Sequence, residues 1–397
     1  MHSLPGIAAC GLAFPGRVLF GWGQRSELPK AAQELGQRAF VVLGSRTLQA
    51  SSHWAILKDD LIRQRIEVCE LPLVTREPLV DDVDRAVHLL RDAHAGPGDL
   101  VIGIGGGAAL DMAKAVAGLS LQPEFSTVRH YLEGVGTGQT LRLPVLPWIA
   151  LPTTGGTGSE ATRNAVISHP QPAFKKSLRS DLLFARVVLI DPEWQTMLPR
   201  STTIDSGLDA FTQCVESYIT AKANPFTSQL AIDGARRVWN ALPIAVRKPS
   251  DRAARENLAW GAFLSGMALA NSGLGIAHGV AAGLGAAYGI GHGRACALML
   301  PTAIQVNREI ASGRLAKLAR TLAVCDDSEP DQIACDRLLA AVEQRLREFE
   351  IPQRLSEIGA TAADLDRLVE LSQGNSLNGN PRPISREELR QILESML

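Results

Sequence analysis

From Val18 to about Pro199, short β-rich apolar runs alternate with amphipathic stretches, the pattern of βα units that build a parallel sheet. Ala39–Gly44 (AFVVLG) reads as a buried strand, Trp54–Gln64 as a helix, and IEVCEL as the strand after it. Val80–Ala95, with Val83, Val87, Leu89 and Leu90 set among charges, predicts a helix that stops at the loop AGPGD. LVIGIGGG predicts a strand running into glycines, and the helical run AALDMAKAVAG begins where the glycines stop. Leu143–Pro152 and Ala185–Trp194 are further strand-like segments, the first running into the small-residue loop TTGGTGSEAT. Beyond about Thr202 the apolar spacing is helical nearly to the end, and SREELRQILESML predicts a last helix with Ser385 and Glu388 as a capping box. The expected architecture is an α/β domain with a parallel sheet over residues 1–198, followed by an all-helical domain over 199–397.

The length of 397 residues suits two domains, and 46% hydrophobic with 20% charged residues is an ordinary globular balance. Lys+Arg 40 against Asp+Glu 41 leaves a net charge of −1, with no single-sign field to hold nucleic acid or an anionic membrane. A small molecule is the expected partner. The six cysteines (Cys10, Cys69, Cys214, Cys296, Cys325, Cys335) form no CxxC pair, which argues against a disulfide framework or a thiolate zinc site and for a reducing, cytoplasmic setting. The start MHSLPGIAACGLAFPGR has no Lys or Arg ahead of its apolar stretch, so no signal peptide is expected. Ile276–Pro301 is broken by glycines, His278, His292 and Arg294, so no membrane span is expected there.

Three constellations carry candidate chemistry. In Gly103–Lys114 (GIGGGAALDMAK), glycines between a strand and a helix let the backbone approach a phosphate at a helix start, although a tight βα turn accounts for them equally well. A dinucleotide fold of the usual kind also wants an acidic residue about 20 positions on, and that stretch holds only Glu124. The loop Pro152–Glu160 (PTTGGTGSE) sets four hydroxyls among three glycines, suited to a ribose, amide or phosphate. Two such loops at strand ends favour a nucleotide crevice. In the helical half, Asp209 and Gln213 share a helix face at i,i+4, and His278 and His292 flank a Gly/Ala-rich stretch. Together they could surround Fe²⁺ or Zn²⁺, while each histidine alone is more often a hydrogen-bonded core or surface residue than a ligand.

GGGAALDMAK, LPTTGGTGSEAT, GLDAFTQCVESY and HGVAAGLGAAYGIGHGRACALMLP resemble, in that order, the motifs of the iron-containing (group III) alcohol dehydrogenases. The resemblance runs from about Phe20 to the end. It implies an N-terminal dinucleotide-binding α/β domain, an all-helical C-terminal domain in a dehydroquinate synthase-like architecture, and an active site in the cleft between them. The family's pyrophosphate-wrapping segment falls on Gly105, Gly106, Gly107 and Ala108, and its Asp and Lys positions on Asp111 and Lys114. Its adenine and nicotinamide loop falls on Thr153, Thr154, Thr157 and Ser159, and a lysine beside the cofactor on Lys175 or Lys176. Asp209, His278 and His292 match three of the four metal ligands, and Gln213 stands where the family's DAxxH run has its histidine. A neutral amide oxygen is a poorer donor than imidazole, so metal affinity should fall or the preferred ion change. Ala282 stands where many members carry another histidine, which leaves proton transfer to a water chain or a ribose hydroxyl. After the first strand, Ser45 and Arg46 replace the acidic residue of NAD-preferring members, which favours NADP(H), with Arg46 as a plain solvated residue the other reading.

The activity implied is a metal-dependent, NAD(P)-linked alcohol dehydrogenase or aldehyde reductase, with a homodimer expected from the family's habit. One alternative is a reductase of a functionalised carbonyl of the maleylacetate or phosphonoacetaldehyde type, without a tightly held metal, with Arg163, Lys175, Lys176 and Arg294 as cations for an anionic substrate. The other is a non-catalytic nucleotide-binding homologue. Phe211, Leu274 and Leu284 are candidates for apolar pocket walls.

Overall fold

A computed structural model describes residues 9–171 and 173–397. Part of the apolar start weighed as a leader lies outside the described residues. The chain divides into two compact units.

The first unit comprises residues 14–199 and 248–259. Its strands are β1 (Arg17–Phe20), β2 (Arg38–Leu43), β3 (Glu67–Glu70), β4 (Asp99–Gly105), β5 (Trp148–Pro152), β6 (Asn164–Pro170), β7 (Ala173–Arg179) and β8 (Val187–Ile190). Six of them pair in the order β1-β8-β5-β4-β2-β3, parallel at every step. A parallel sheet covered on both faces needs apolar residues on both, so its strands read as unbroken hydrophobic runs; β4 and β5 are buried throughout. The helices of this unit are α1 (Leu28–Leu35), α2 (Arg46–Gln49), α3 (Ser52–Arg63), α4 (Val80–Asp92) and α5 (Gly107–Leu119). Leu28, Trp54, Leu57 and Leu61 from α1 and α3 pack with Val41, Leu43, Ile102 and Ile104 of the sheet in one core cluster.

Three sequence expectations are shortened or changed. Only Trp148–Pro152 of Leu143–Pro152 is strand. Ala185–Trp194 contracts to Val187–Ile190, because the Asp191 side chain accepts the Glu193 amide and starts a 3₁₀ turn over Pro192–Met197. Residues 164–179, for which the sequence pattern gave no element, form the antiparallel β6–β7 hairpin.

The second unit comprises residues 9–13, 200–247 and 260–397. Its helices are α6 (Arg200–Ile219), α7 (Pro225–Arg247), the part of α8 (Arg252–Ala270) from Trp260, α9 (Ile276–Tyr288), α10 (His292–Asn307), α11 (Ser312–Thr321), α12 (Asp331–Glu348), α13 (Leu365–Leu371) and α14 (Arg386–Ser395). The Gly/Ala-rich stretch holds the end of α9, where Gly289 takes φ +67° in the left-handed region that stops the helix. Among the described residues no helix is long and apolar enough to cross a membrane. The capping box of α14 is half made: Ser385 accepts the Glu388 amide, but the Glu388 carboxylate pairs with Arg382 instead of reaching back. Phe211 and Leu284 are buried in the core, Phe211 against Trp239 with ring centroids 5.2 Å apart and Leu284 in the α9–α10 cluster. Leu274 is also buried.

Candidate active site

In the first unit the chain runs from β2 outward to β3, returns to β4 on the other side of β2, and continues from there to β5. The order therefore reverses between β2 and β4, and crevices at such reversals, outside the carboxyl ends of the strands, take ligands. Gly44 and Ser45 follow β2 there, and Gly105, Gly106 and Gly107 follow β4. The approach is tight: a Cβ on Gly105 would lie 2.7 Å from Ala109 Cβ and 2.9 Å from Gly44 Cα, so only glycine fits. The extended Gly106 leads into α5 with no side chain capping it, which leaves the helix start and its dipole turned to the crevice. Ser45 Oγ accepts the Leu48 amide at 3.1 Å and so starts α2, with Arg46 exposed beside it.

The PTTGGTGSE loop follows β5, the neighbour of β4, and Thr153 N donates to Gly105 O at 2.9 Å. Thr154 and Thr157 lie against Gly106 and Gly107, where an added Cβ would come 3.3 Å from Thr154 Oγ1 and 2.6 Å from Thr157 Oγ1. Ala108 is the second residue of α5, beside these glycines. Lys114 is wholly buried beneath this surface. Its ammonium donates to Ser159 Oγ (2.7 Å), Thr162 Oγ1 (2.8 Å) and Asn164 O (2.8 Å) and lies 3.4 Å from Asp111 Oδ1. Asp111 in turn accepts Ser159 Oγ–H at 2.6 Å and the Val166 amide at 3.0 Å. Lys114, Asp111 and Ser159 thus lock the loop and the hairpin to α5. Burial pulls the Lys114 ammonium below the usual lysine range, against the pull of Asp111. Burial likewise pushes the neighbouring Glu160 carboxyl up to about 7.

Lys175 stands on β7 and pairs with Glu77. Arg163 pairs with Asp181, and Arg294 lies 3.5 Å from Asp205. Three of the four cations considered for an anionic substrate are therefore already matched by carboxylates.

In the second unit, α6 supplies Asp209, α9 supplies His278 and α10 supplies His292. Their proximity depends on Gly293, where a Cβ would overlap the Asp205 carbonyl oxygen and sit 3.2 Å from Asp209 Cβ. Asp209 Oδ1 lies 3.4 Å from His278 Nε2 and 3.8 Å from His292 Nε2. Cys296, one turn after His292, joins them, and the four donor atoms all lie within 4.8 Å of one another. Gln213 is one turn beyond Asp209 on α6, with its Oε1 accepting Ser265 Oγ–H at 2.9 Å.

Glu216 is a participant that spacing does not reveal. Its buried carboxylate accepts the Ala277 amide (2.7 Å) and the His278 amide (3.2 Å) at the start of α9, and meets His278 Nδ1 at 2.6 Å. A carboxylate only accepts, so Nδ1 carries the proton and Nε2 faces Asp209. Burial would raise the Asp209 carboxyl, but His292 and His278 opposite it hold it below the usual range. Burial would lower His278, yet Cys296, Asp209 and Glu216 around it keep it well above the usual imidazole value.

Asp209 Oδ1 and His278 Nε2 are both buried, and they face each other at 3.4 Å without forming a well-aligned hydrogen bond. Such atoms cost about 1–3 kcal/mol each when unpaired. Tetrahedral bonds of about 2.0–2.3 Å place neighbouring donors about 3.3–3.8 Å apart, so the observed 3.4 and 3.8 Å separations fit a divalent cation.

Comparison with known proteins agrees over both units. Residues 15–192 match the family model for iron-containing alcohol dehydrogenase, and residues 203–397 that for the C-terminal part of the same family. The chain is 34% identical over 388 residues to the probable alcohol dehydrogenase EutG of Escherichia coli (strain K12), covering 98% of this chain and 92% of that one. It is 31% identical over 386 residues to long-chain-alcohol dehydrogenase 1 of Geobacillus thermodenitrificans (strain NG80-2), covering 97% and 96%. An alcohol dehydrogenase structure from Oenococcus oeni superposes with a TM-score of 0.90 at 28% identity, over 98% of this chain and all of that one. With these matches spanning nearly its whole length, the chain belongs to the iron-containing alcohol dehydrogenase family.

Proposed function

We propose that this chain is an oxidoreductase acting on CH–OH groups, a metal-dependent, NAD(P)-linked alcohol dehydrogenase or aldehyde reductase for small alcohols and carbonyls. The observation that carries the reading is the buried pair Asp209 Oδ1 and His278 Nε2, which lack a well-aligned hydrogen bond and are placed with His292 at cation spacing in a chain of this family. When bound, the cation supplies Lewis acidity to a substrate oxygen and the nicotinamide supplies or accepts the hydride.

The chain's own residues do the positioning. Asp209, His278 and His292 hold the cation, with Gln213 as the family-based fourth position, and Glu216 fixes the His278 ring so that Nε2 is the ligating nitrogen. The backbone of Gly105, Gly106, Gly107 and Ala108 at the start of α5 receives the pyrophosphate, and Thr153, Thr154 and Thr157 face the rest of the dinucleotide. Asp111, Lys114 and Ser159 keep that surface in shape from below. Ser45 and the exposed Arg46, in place of a carboxylate, favour NADP(H) over NAD(H). One relative at 26% identity is described as an NAD-dependent methanol dehydrogenase of Bacillus methanolicus, so both cofactors belong in the test.

The test is metal content by plasma mass spectrometry on protein purified without chelator, with NADPH and NADH oxidation over an aldehyde panel before and after chelation. Near-stoichiometric iron or zinc with chelator-sensitive turnover is expected. Undiminished turnover after complete metal removal would overturn the metal-dependent reading.

A further inference from the structure

Where the family resemblance leaves a glutamine in place of a metal-binding histidine, the structure offers another donor. We propose that Cys296 completes the metal site as a thiolate ligand, giving an Asp209–His278–His292–Cys296 set in place of one that uses Gln213. The proposal rests on the metal-dependent reading above.

Four observations converge on it. The Cys296 Sγ lies 3.6 Å from His292 Nε2, and it belongs to the cluster whose donor atoms are all within 4.8 Å. For a cation bonded at about 2.3 Å to sulfur and about 2.0 Å to nitrogen, a tetrahedral S···N separation is about 3.5 Å, close to that found. Cys296 sits at i,i+4 from His292 on α10, so one helix face presents both donors to the same point. Finally, Cys296 is wholly buried at the cluster, whereas the Gln213 amide oxygen already accepts Ser265 Oγ–H at 2.9 Å and offers only a neutral donor.

On binding, the Sγ–H bond breaks, its proton leaves to water, and a metal–sulfur bond forms with no change in oxidation state. The thiolate restores an anionic, soft donor in place of a neutral amide. The set therefore selects zinc, cobalt or ferrous iron over magnesium, and it makes the site more thiophilic than one built on three histidines.

The test uses Co²⁺ as a spectroscopic probe on the full-length chain stripped of metal. The expected result is one Co²⁺ per chain with a near-ultraviolet sulfur-to-cobalt charge-transfer band. That band should vanish in Cys296→Ser, with Co²⁺ affinity at least about 10-fold weaker. It should persist in Gln213→Ala, and it should be absent from Asp209→Ala, which controls for the other five thiols. Far-ultraviolet circular dichroism confirms that each variant folds. Co²⁺ bound without a band that Cys296→Ser removes overturns the thiolate ligand while leaving the metal site standing. A chain that binds no Co²⁺ overturns both readings.

Discussion

Glu216 and His278 share a 2.6 Å contact between carboxylate and Nδ1, and the same carboxylate closes the amide groups that open α9. One side chain therefore fixes both the ring and the helix that carries it. Glu216→Gln keeps one acceptor oxygen but turns an NH₂ group toward the Ala277 amide or toward the His278 amide and ring N–H, each of which needs an acceptor. Metal affinity should fall about 10–100-fold, read by competition with a chromogenic chelator. Unchanged affinity would show that the ring is held by packing alone.

Lys114→Met removes the buried ammonium but leaves the Asp111 carboxylate in place. Such half-removal of a buried charge cluster costs about 3 kcal/mol, read as a lower urea midpoint. Dinucleotide affinity should fall as well, because Ser159 and Thr162 lose the donor that anchors their loop. A variant with unaltered cofactor affinity would confine Lys114 to stability.

Gly293→Ala drives a methyl group into the Asp205 carbonyl and pushes α10 away from α6. Overpacking against backbone should cost about 3 kcal/mol or more in thermal unfolding, and metal content should fall with it. Full metal occupancy in a folded Gly293→Ala protein would contradict this account of the close approach.

Glu160 gives a pH signature. Its carboxyl, raised by burial to about 7, binds a proton in the folded chain that the unfolded chain gives up near pH 4.5. The folded state loses that advantage as pH rises from about 4.5 to 7, and the loss is complete above 7. Glu160→Gln should therefore be more stable than the parent at pH 8, by at most about 3 kcal/mol, and nearly equal to it at pH 4.5. Urea midpoints across this range provide the measurement.

Arg46→Ala tests the choice of cofactor. If the guanidinium meets a 2′-phosphate, the Kd for NADPH rises about tenfold and that for NADH stays put, as fluorescence titration would read. Equal shifts for both would make Arg46 a solvated loop residue.

Much of the fold is legible because a buried parallel strand must be apolar on both faces, as Val101, Ile102 and Ile104 are. The β6–β7 hairpin is not, since half-buried strands with lysines and a histidine on them carry no such run. Asp209, His278 and His292 are visible through the motifs around them, and the structure brings them together. Cys296 has a helical spacing from His292 that could flag it, but a search for paired cysteines passes over a single thiol. Glu216 is 62 residues from the histidine it holds, and no local pattern spans that distance. The expected boundary at Leu198 sits beside the Pro199–Arg200 junction, yet residues 9–13 and 248–259 each join the unit remote in sequence, which periodicity cannot foresee.

Because Asp111, Ser159, Thr162 and the Val166 amide are tied to a buried charge, the loop proposed to face the dinucleotide is ordered when the chain folds, not when a ligand arrives. The conformational freedom lost there is absent from the binding equilibrium. A dinucleotide bound there would meet a loop already in shape, so residues that never touch it would contribute to its affinity.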